Sequence, residues 1–324
     1  MKAIVHDEYG SLDLLSLRDV DTPVIADDQV LVKVHAASLH VGDCFCVRGD
    51  PFMVRFMTGL LKPKLGVPGF DLAGTVEAVG ERVSRFKPGD EVFGATVGTC
   101  AEYASAKENE IALKPTSLSF EQAAALPTSG LAALHALRDV AQLQAGQQVL
   151  VNGASGGVGH FAVQIAKSYG ADVTGVCSTA NLEMVRALGA DHLVDYTQQD
   201  FAEGDRRFDL IFDNVENRSL ADCRKALAPD GMLILNSGAG AQGLGMWVRL
   251  LKPILLSPFV RQDLRRYLST PNHDDLMVLV HLVESGRLEP VIGRTVPLEQ
   301  TLDALRHIES GHARGKVVVR IRED

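Results

Sequence analysis

Basic charge is the first thing this chain is short of. Its 32 Lys and Arg face 41 Asp and Glu, a formal net charge of −9. A surface that grips nucleic acid needs the opposite balance, so no nucleic-acid partner is expected, although a few local groups can still hold a small anionic ligand. Long apolar runs are also missing. None approaches the roughly 18 residues of a spanning helix, and the longest candidate, residues 250–260, is broken by Lys252, Pro253 and Pro258. The opening MKAIVHDEYG turns polar where a secretory leader turns apolar. These absences predict a cytoplasmic protein with no membrane partner. Cysteine is scarce and unpatterned: Cys44, Cys46, Cys100, Cys177 and Cys223 form no CxxC pair. An odd count argues against a disulfide framework, and thiols two residues apart are poorly spaced for zinc, so reduced, buried thiols are expected.

What is present is a change of pattern. At 324 residues the chain is long for one core. Apolar runs at residues 2–5, 29–34, 73–79 and 91–93 stand between Gly/Pro turns such as VPGFDLAG and FKPGDEVFG. Many short strands without intervening helices predict a small barrel-like first domain. From about residue 119, where Ser119 and Gln122 make a helix start, the rhythm alters. Runs at 148–151, 172–176, 192–194, 210–212 and 232–235 alternate with helical patterns such as 158–169 and 181–188. Strand–helix alternation predicts an α/β fold, a doubly wound parallel sheet. The last sixty or so residues read as helix 274–285, a short strand near 293–296, helix 298–310 and strand 316–321.

The most informative segment is VLVNGASGGVGH, residues 149–160. A glycine loop that leaves an apolar strand and opens a helix is the context of a dinucleotide site. Gly156 lets the backbone approach a pyrophosphate, and Gly159 lets helix pack on strand. The helix N-terminus offers free N–H groups to the anion. The usual first glycine falls at Ala154, beside Gly153. Some 20 residues on, where an acid would bind the free ribose hydroxyl of NADH, the second strand ends in Cys177-Ser178-Thr179-Ala180-Asn181. Hydroxyls and an amide suit a 2′-phosphate, which predicts NADPH over NADH, although no Arg or Lys lies in the turn and a polar helix cap at Ser178 or Thr179 would read the same.

Taken with VPGFDLAGTVEAVG, EQAAALPTSGLAAL, ALGADHLVDY, FDNV and HARGKVVV, the chain resembles the medium-chain dehydrogenase/reductase superfamily and, within it, the zinc-free quinone oxidoreductase branch. The resemblance covers nearly the whole length. It implies a GroES-like, β-rich catalytic domain over residues 1–120, a Rossmann NAD(P)-binding domain over 121–262, and a segment, 263–324, returning to the first domain. A cleft between the domains and a homodimer are further implications. By position, Asp43 and Thr128 are expected near the nicotinamide and Gly153, Ala154, Ser155, Gly156, Gly157 and Val158 at the pyrophosphate. Ser178, Thr179 and Asn181 are expected at the 2′-phosphate and Tyr196 at the adenosine. Asn214, Val215, Ser237 and Gly238 would border the cofactor, with Lys316 at the same cleft.

One position departs from the family pattern. His40 stands where the branch has Asn and where zinc-dependent relatives have a ligating Cys. Their next ligand follows a glycine as Gly-His-Glu, and here the stretch is Gly69-Phe70-Asp71. Catalytic zinc needs three good ligands, so no zinc is expected, and His40, with Asp43, becomes a candidate catalytic group that polarises a carbonyl or simply lines the cleft. Tyr103 and Lys107 spell the pair of short-chain dehydrogenases but precede the glycine loop instead of following it. Without a metal, a quinone or α,β-unsaturated carbonyl is the easiest hydride acceptor, so a small apolar electrophile is the expected substrate. Residues 48–65, rich in Met and Phe and bracketed by basic residues, are either a lid over it or an ordinary packed loop. Reduction of simple aldehydes or oxidation of alcohols, or a regulatory NADPH-binding role with little turnover, stay open.

Overall fold

The computed structural model describes residues 1–236, 256–257 and 260–322. Ser237, Gly238 and most of the apolar run near residue 250 lie outside the described residues. The chain divides into two compact units, Met1–Leu131 with Thr270–Asp324, and Ala132–Ser269.

The elements run as follows. The first stretch holds β1 (Lys2–Val5), β2 (Ser16–Asp19), β3 (Gln29–Leu39), α1 (Val41–Arg48), α2 (Val54–Thr58), β4 (Asp71–Val79), β5 (Glu91–Ala95), β6 (Tyr103–Lys107), β7 (Ile111–Leu113), α3 (Phe120–Ala124) and α4 (Pro127–Leu134). The second unit continues with β8 (Gln148–Asn152), α5 (Gly159–Ser168), β9 (Asp172–Cys177), α6 (Leu182–Ala187), β10 (His192–Asp195), β11 (Phe208–Asp213), α7 (Leu220–Ala226), β12 (Leu227–Leu235) and β13 (Asp263–Arg265). The chain then adds α8 (His273–Glu284), β14 (Ile292–Pro297), α9 (Thr301–Glu309) and β15 (Lys316–Arg320).

In the first unit β3 is the spine. It pairs antiparallel with β4, β6 and β15, and β14 joins β15 in parallel at one edge. Eleven residues long, β3 alternates its burial, with Val30, Val32 and Val34 inward, as a half-buried strand must. The C-terminal segment is part of this core: Val296, Leu305, Val317 and Val319 pack with Ile4, Leu12, Leu39 and Val47. Two findings differ from the expectation. Helices α1 and α2 interrupt the β-rich region, for reasons given below. The first unit also ends after Leu131, about ten residues beyond the expected 120, because α3 packs on β3, β4, β5 and β15.

The second unit is a six-stranded parallel sheet in the order β10-β9-β8-β11-β12-β13. Counted within the unit this is 3-2-1-4-5-6, the doubly wound Rossmann order. The central strands β8 and β11 carry apolar runs, as strands covered on both faces do; Val149, Leu150 and Val151 are fully buried, as are Ile211 and Phe212.

All five cysteines are free thiols. Burial pushes Cys44, Cys46 and Cys223 up to about 12 and Cys177 up to about 11, and raises Cys100 well above the ordinary range. A raised thiol pKa leaves the protonated, unreactive form dominant at pH 8. Iodoacetamide at pH 8 is therefore expected to leave the folded protein unlabelled by mass spectrometry and to label all five after denaturation; rapid labelling of one native thiol would contradict this.

Candidate active site

In an open α/β sheet of this order the ligand site lies outside the carboxyl ends of the strands, where the strand order reverses. Here that point is between β8 and β11, whose last residues are Asn152 and Asp213. Asn152 Nδ2 donates to Asp213 Oδ1 at 2.7 Å and to Asn217 Oδ1 at 3.1 Å. The same Asp213 oxygen accepts the amides of Val215, at 3.1 Å, and Glu216, at 2.8 Å. Fully buried Asp213 thus shapes the turn that carries Asn214 and Val215. Glu216 follows at φ 54, in the left-handed region, and its carboxylate is gripped by Arg266 at 2.6 and 3.0 Å.

The glycine loop leaves β8 at this point. Gly153 has φ +78, and a Cβ there would meet Val215 Cγ2 at 2.7 Å. At Gly159 a Cβ would lie 2.0 Å from the Gly153 carbonyl oxygen, so only glycine allows α5 to start so near β8. Among the described residues, the amides of Ser155, Gly157 and Val158 donate to no protein acceptor, and α5 has no side-chain cap at Val158. Unsatisfied N–H groups at a helix N-terminus are what a pyrophosphate requires.

The 2′ turn sits beside this loop. Asn181 Nδ2 reaches both Ser155 Oγ and Ser178 Oγ at 3.2 Å, tying the turn to the loop. Ser178 is the N-cap residue of the short helix Thr179–Asn181, without a side-chain capping hydrogen bond. Thr179 instead donates its hydroxyl to Asp195. Tyr196 is next in sequence and 46% exposed, with its amide on the Cys177 carbonyl.

In the first unit His40 is the N-cap of α1. Its Nδ1 accepts the Gly42 amide at 2.9 Å, and its own amide donates to Asp43 Oδ2 at 2.7 Å. This reciprocal capping box is why a helix begins where the pattern suggested only strands, and Gly49 at φ 60 ends it. With Nδ1 accepting, the ring proton is assigned to Nε2. That atom is buried and has no acceptor among the described residues, while the ring stacks on Phe70 at 5.3 Å. Asp43, the other candidate catalytic group, is held in place by local bonds. It is wholly buried, its second oxygen accepts the Gly69 amide at 3.0 Å, and burial, opposed by His40, pushes its carboxyl pKa up. It ties α1 to the approach of β4.

Thr128 and Lys316 meet at Asp71, which the sequence reading did not single out. Asp71 Oδ1 accepts the Thr128 amide and hydroxyl, and Lys316 Nζ lies 3.3 Å from Oδ2 and 2.9 Å from Ser129 Oγ. Asp71 and Lys316 are 0% and 1% exposed. The available signal was an acid at the head of β4, directly before the apolar Leu72 and Ala73. Tyr267, Tyr9 and Tyr103 each have contacts of their own. Tyr267 Oη donates to Ala132 O and burial raises its pKa, Tyr9 donates to Gly59 O, and Tyr103 lies on β6 beneath the Arg322 guanidinium. Residues 48–65 show apolar side chains to solvent, among them Phe56, Met57 and Leu61, the last 89% exposed. Their anchor is Tyr9, on Thr58 and under Arg55.

Residues 26–136 match the alcohol dehydrogenase GroES-like domain and residues 188–319 the zinc-binding dehydrogenase family. A 2-methylene-furan-3-one reductase of Solanum lycopersicum is 35% identical over 98% of this chain and 79% of its own length. The chain belongs to the medium-chain dehydrogenase/reductase superfamily, in its quinone oxidoreductase-like branch. A chloroplastic NADPH-dependent alkenal/one oxidoreductase of Arabidopsis thaliana is 34% identical over the same shares. The quinone oxidoreductase structure from Coxiella burnetii superposes with a TM-score of 0.87 at 32% identity, covering 99% of both chains. Against that superfamily's zinc-dependent pattern, Phe70 replaces the imidazole ligand and Asp71 is committed to Thr128 and Lys316. Among the described residues no group of three or more His, Cys, Asp or Glu is arranged to hold a metal ion.

Proposed function

We propose that this protein is an NADPH-dependent, zinc-independent reductase of quinones or α,β-unsaturated carbonyls. The observation that carries the reading is His40 Nε2, a buried N–H donor without an acceptor among the described residues, at the position where zinc-dependent relatives place a ligand. Hydride reduction of a quinone or enone pushes charge onto a carbonyl oxygen, and one oriented donor suffices to stabilise it. NADPH would supply the hydride, held by the Ser155, Gly157 and Val158 amides, the Ser178–Asn181 turn, Tyr196 and the Asn214–Val215 turn. The names of the tomato and Arabidopsis relatives, an enone reductase and an NADPH-dependent alkenal/one oxidoreductase, agree with that acceptor class. The exposed Phe and Met side chains of residues 48–65 suit an apolar substrate. Cytoplasmic location and a homodimer belong to the same proposal; light scattering of the purified protein tests the dimer.

The test is NADPH consumption by chelator-treated protein against a para-quinone, an enone and a simple aldehyde. Turnover of the quinone or enone should survive chelation. Turnover confined to the aldehyde and abolished by chelation would overturn the proposal. His40→Ala is expected to lower kcat about 100- to 1000-fold, as loss of one oxyanion donor does, with the NADPH dissociation constant little changed.

A further inference from the structure

The turn that replaces the acid at the end of β9 is not free of acid in three dimensions. Asp195 ends β10, and its register partner on β9 is Cys177, immediately before the turn. Its carboxylate accepts four side-chain and main-chain donors. Thr179 Oγ1 and Gln198 Nε2, the latter at 3.0 Å, reach Oδ2; the Thr197 amide at 3.0 Å and hydroxyl at 2.7 Å reach Oδ1. These bonds, Thr179 first, hold the Asp195 carboxyl below its ordinary pKa, so it is ionised at neutral pH.

A hydroxyl has one proton. With that proton on Asp195, Thr179 Oγ1 can only accept, and a phosphate oxygen also only accepts. Ser178 differs. Asn181 donates to its oxygen, which leaves the Ser178 proton free. The turn therefore offers a 2′-phosphate one free hydroxyl where the sequence promises two. Among the described residues no Lys or Arg bonds or pairs with Ser178, Thr179, Asn181 or Asp195. We infer that Asp195 is a positioning residue for cofactor choice: by holding the Thr179 proton it keeps the preference for NADPH over NADH small. The inference rests on the NADPH reading of this site.

Asp195→Asn reverses the polarity of the bond. The new amide donates to Thr179 Oγ1, and the Thr179 proton turns to the 2′-phosphate. A hydrogen bond to a charged group gained in this way is expected to tighten NADPH about tenfold and to leave NADH unchanged within about twofold. The experiment is titration of both dinucleotides by cofactor fluorescence with the native protein, Asp195→Asn, Thr179→Val and the double variant. Thr179→Val alone should leave NADPH affinity within about twofold, because it removes a proton the phosphate never receives, and in the double variant it should abolish the gain. Merely structural damage would weaken both dinucleotides together. An unchanged NADPH/NADH ratio in Asp195→Asn, or a gain that survives Thr179→Val, overturns the inference. So does a selective NADPH loss of about tenfold or more in Thr179→Val alone, which stays informative if Asp195→Asn fails to fold. Failure of the native protein to bind either dinucleotide would overturn the function proposal instead.

Discussion

Lys316→Met is expected to cost about 3–5 kcal/mol of stability, the penalty for leaving a buried charge without its partner. For a protein of this size that is a fall in Tm of roughly 10 °C, read by calorimetry or circular dichroism. The reason is Asp71. It is wholly buried, Lys316 Nζ is among the described residues its only cationic neighbour in hydrogen-bond range, and the Thr128 amide and hydroxyl cannot neutralise it. Removing the charge as well should restore most of the loss, since a buried pair replaced whole is often nearly neutral. Asp71→Asn with Lys316→Met is therefore expected to melt well above the single variant, because Asn Oδ1 can keep both Thr128 bonds. A single-variant cost below about 1 kcal/mol, typical of an exposed pair, would mean that the two groups are not paired as described.

Gly159→Ala is expected to abolish useful dinucleotide binding, weakening NADPH by about 100-fold or more, near 2.7 kcal/mol. The added Cβ would lie 2.0 Å from Gly153 O, 2.8 Å from Gly153 C and 2.9 Å from Ala154 Cα. These are backbone atoms that cannot rotate away, so α5 must retreat from β8 and carry its free N–H groups with it. Overpacking of this kind also costs about 1–3 kcal/mol. Gly156→Ala is the contrast. Its Cβ would meet only Gly153 O, at 3.3 Å, so Tm should move by less than about 3 °C while NADPH affinity still falls, the new methyl standing on the ligand side. Equal loss of Tm in both variants would show that the two glycines do not divide the work in this way.

The Rossmann half was legible in the sequence for a physical reason. Strands buried on both faces have to be continuous apolar runs, and the helices between them have to be amphipathic, so the alternation appears in the one-dimensional pattern. The glycine loop was legible because its steric demands fall on consecutive residues. The interruption of the first unit by α1 was not, because its start is a His-x-x-Asp capping box in place of the usual Ser or Thr. The role of His40 was left open between polarising a carbonyl and lining the cleft; its Nδ1 caps α1, and among the described residues its Nε2 has no acceptor.

What the sequence determined by itself is whatever depends on neighbours along the chain: two kinds of periodicity, a glycine loop between strand and helix, and a 2′ turn without an acid of its own. What only the tertiary structure decided is the set of partners of each buried charge. Asp71 meets Lys316 across 245 residues, Asp213 meets Asn152 across 61, and Asp195 reaches Thr179 from the neighbouring strand. A buried carboxylate must find donors wherever the fold brings them, because leaving it unpaired costs more than almost any local preference can offset. Local spacing therefore picks out the glycine loop, while the commitment of the groups around it follows from contacts that no local pattern contains.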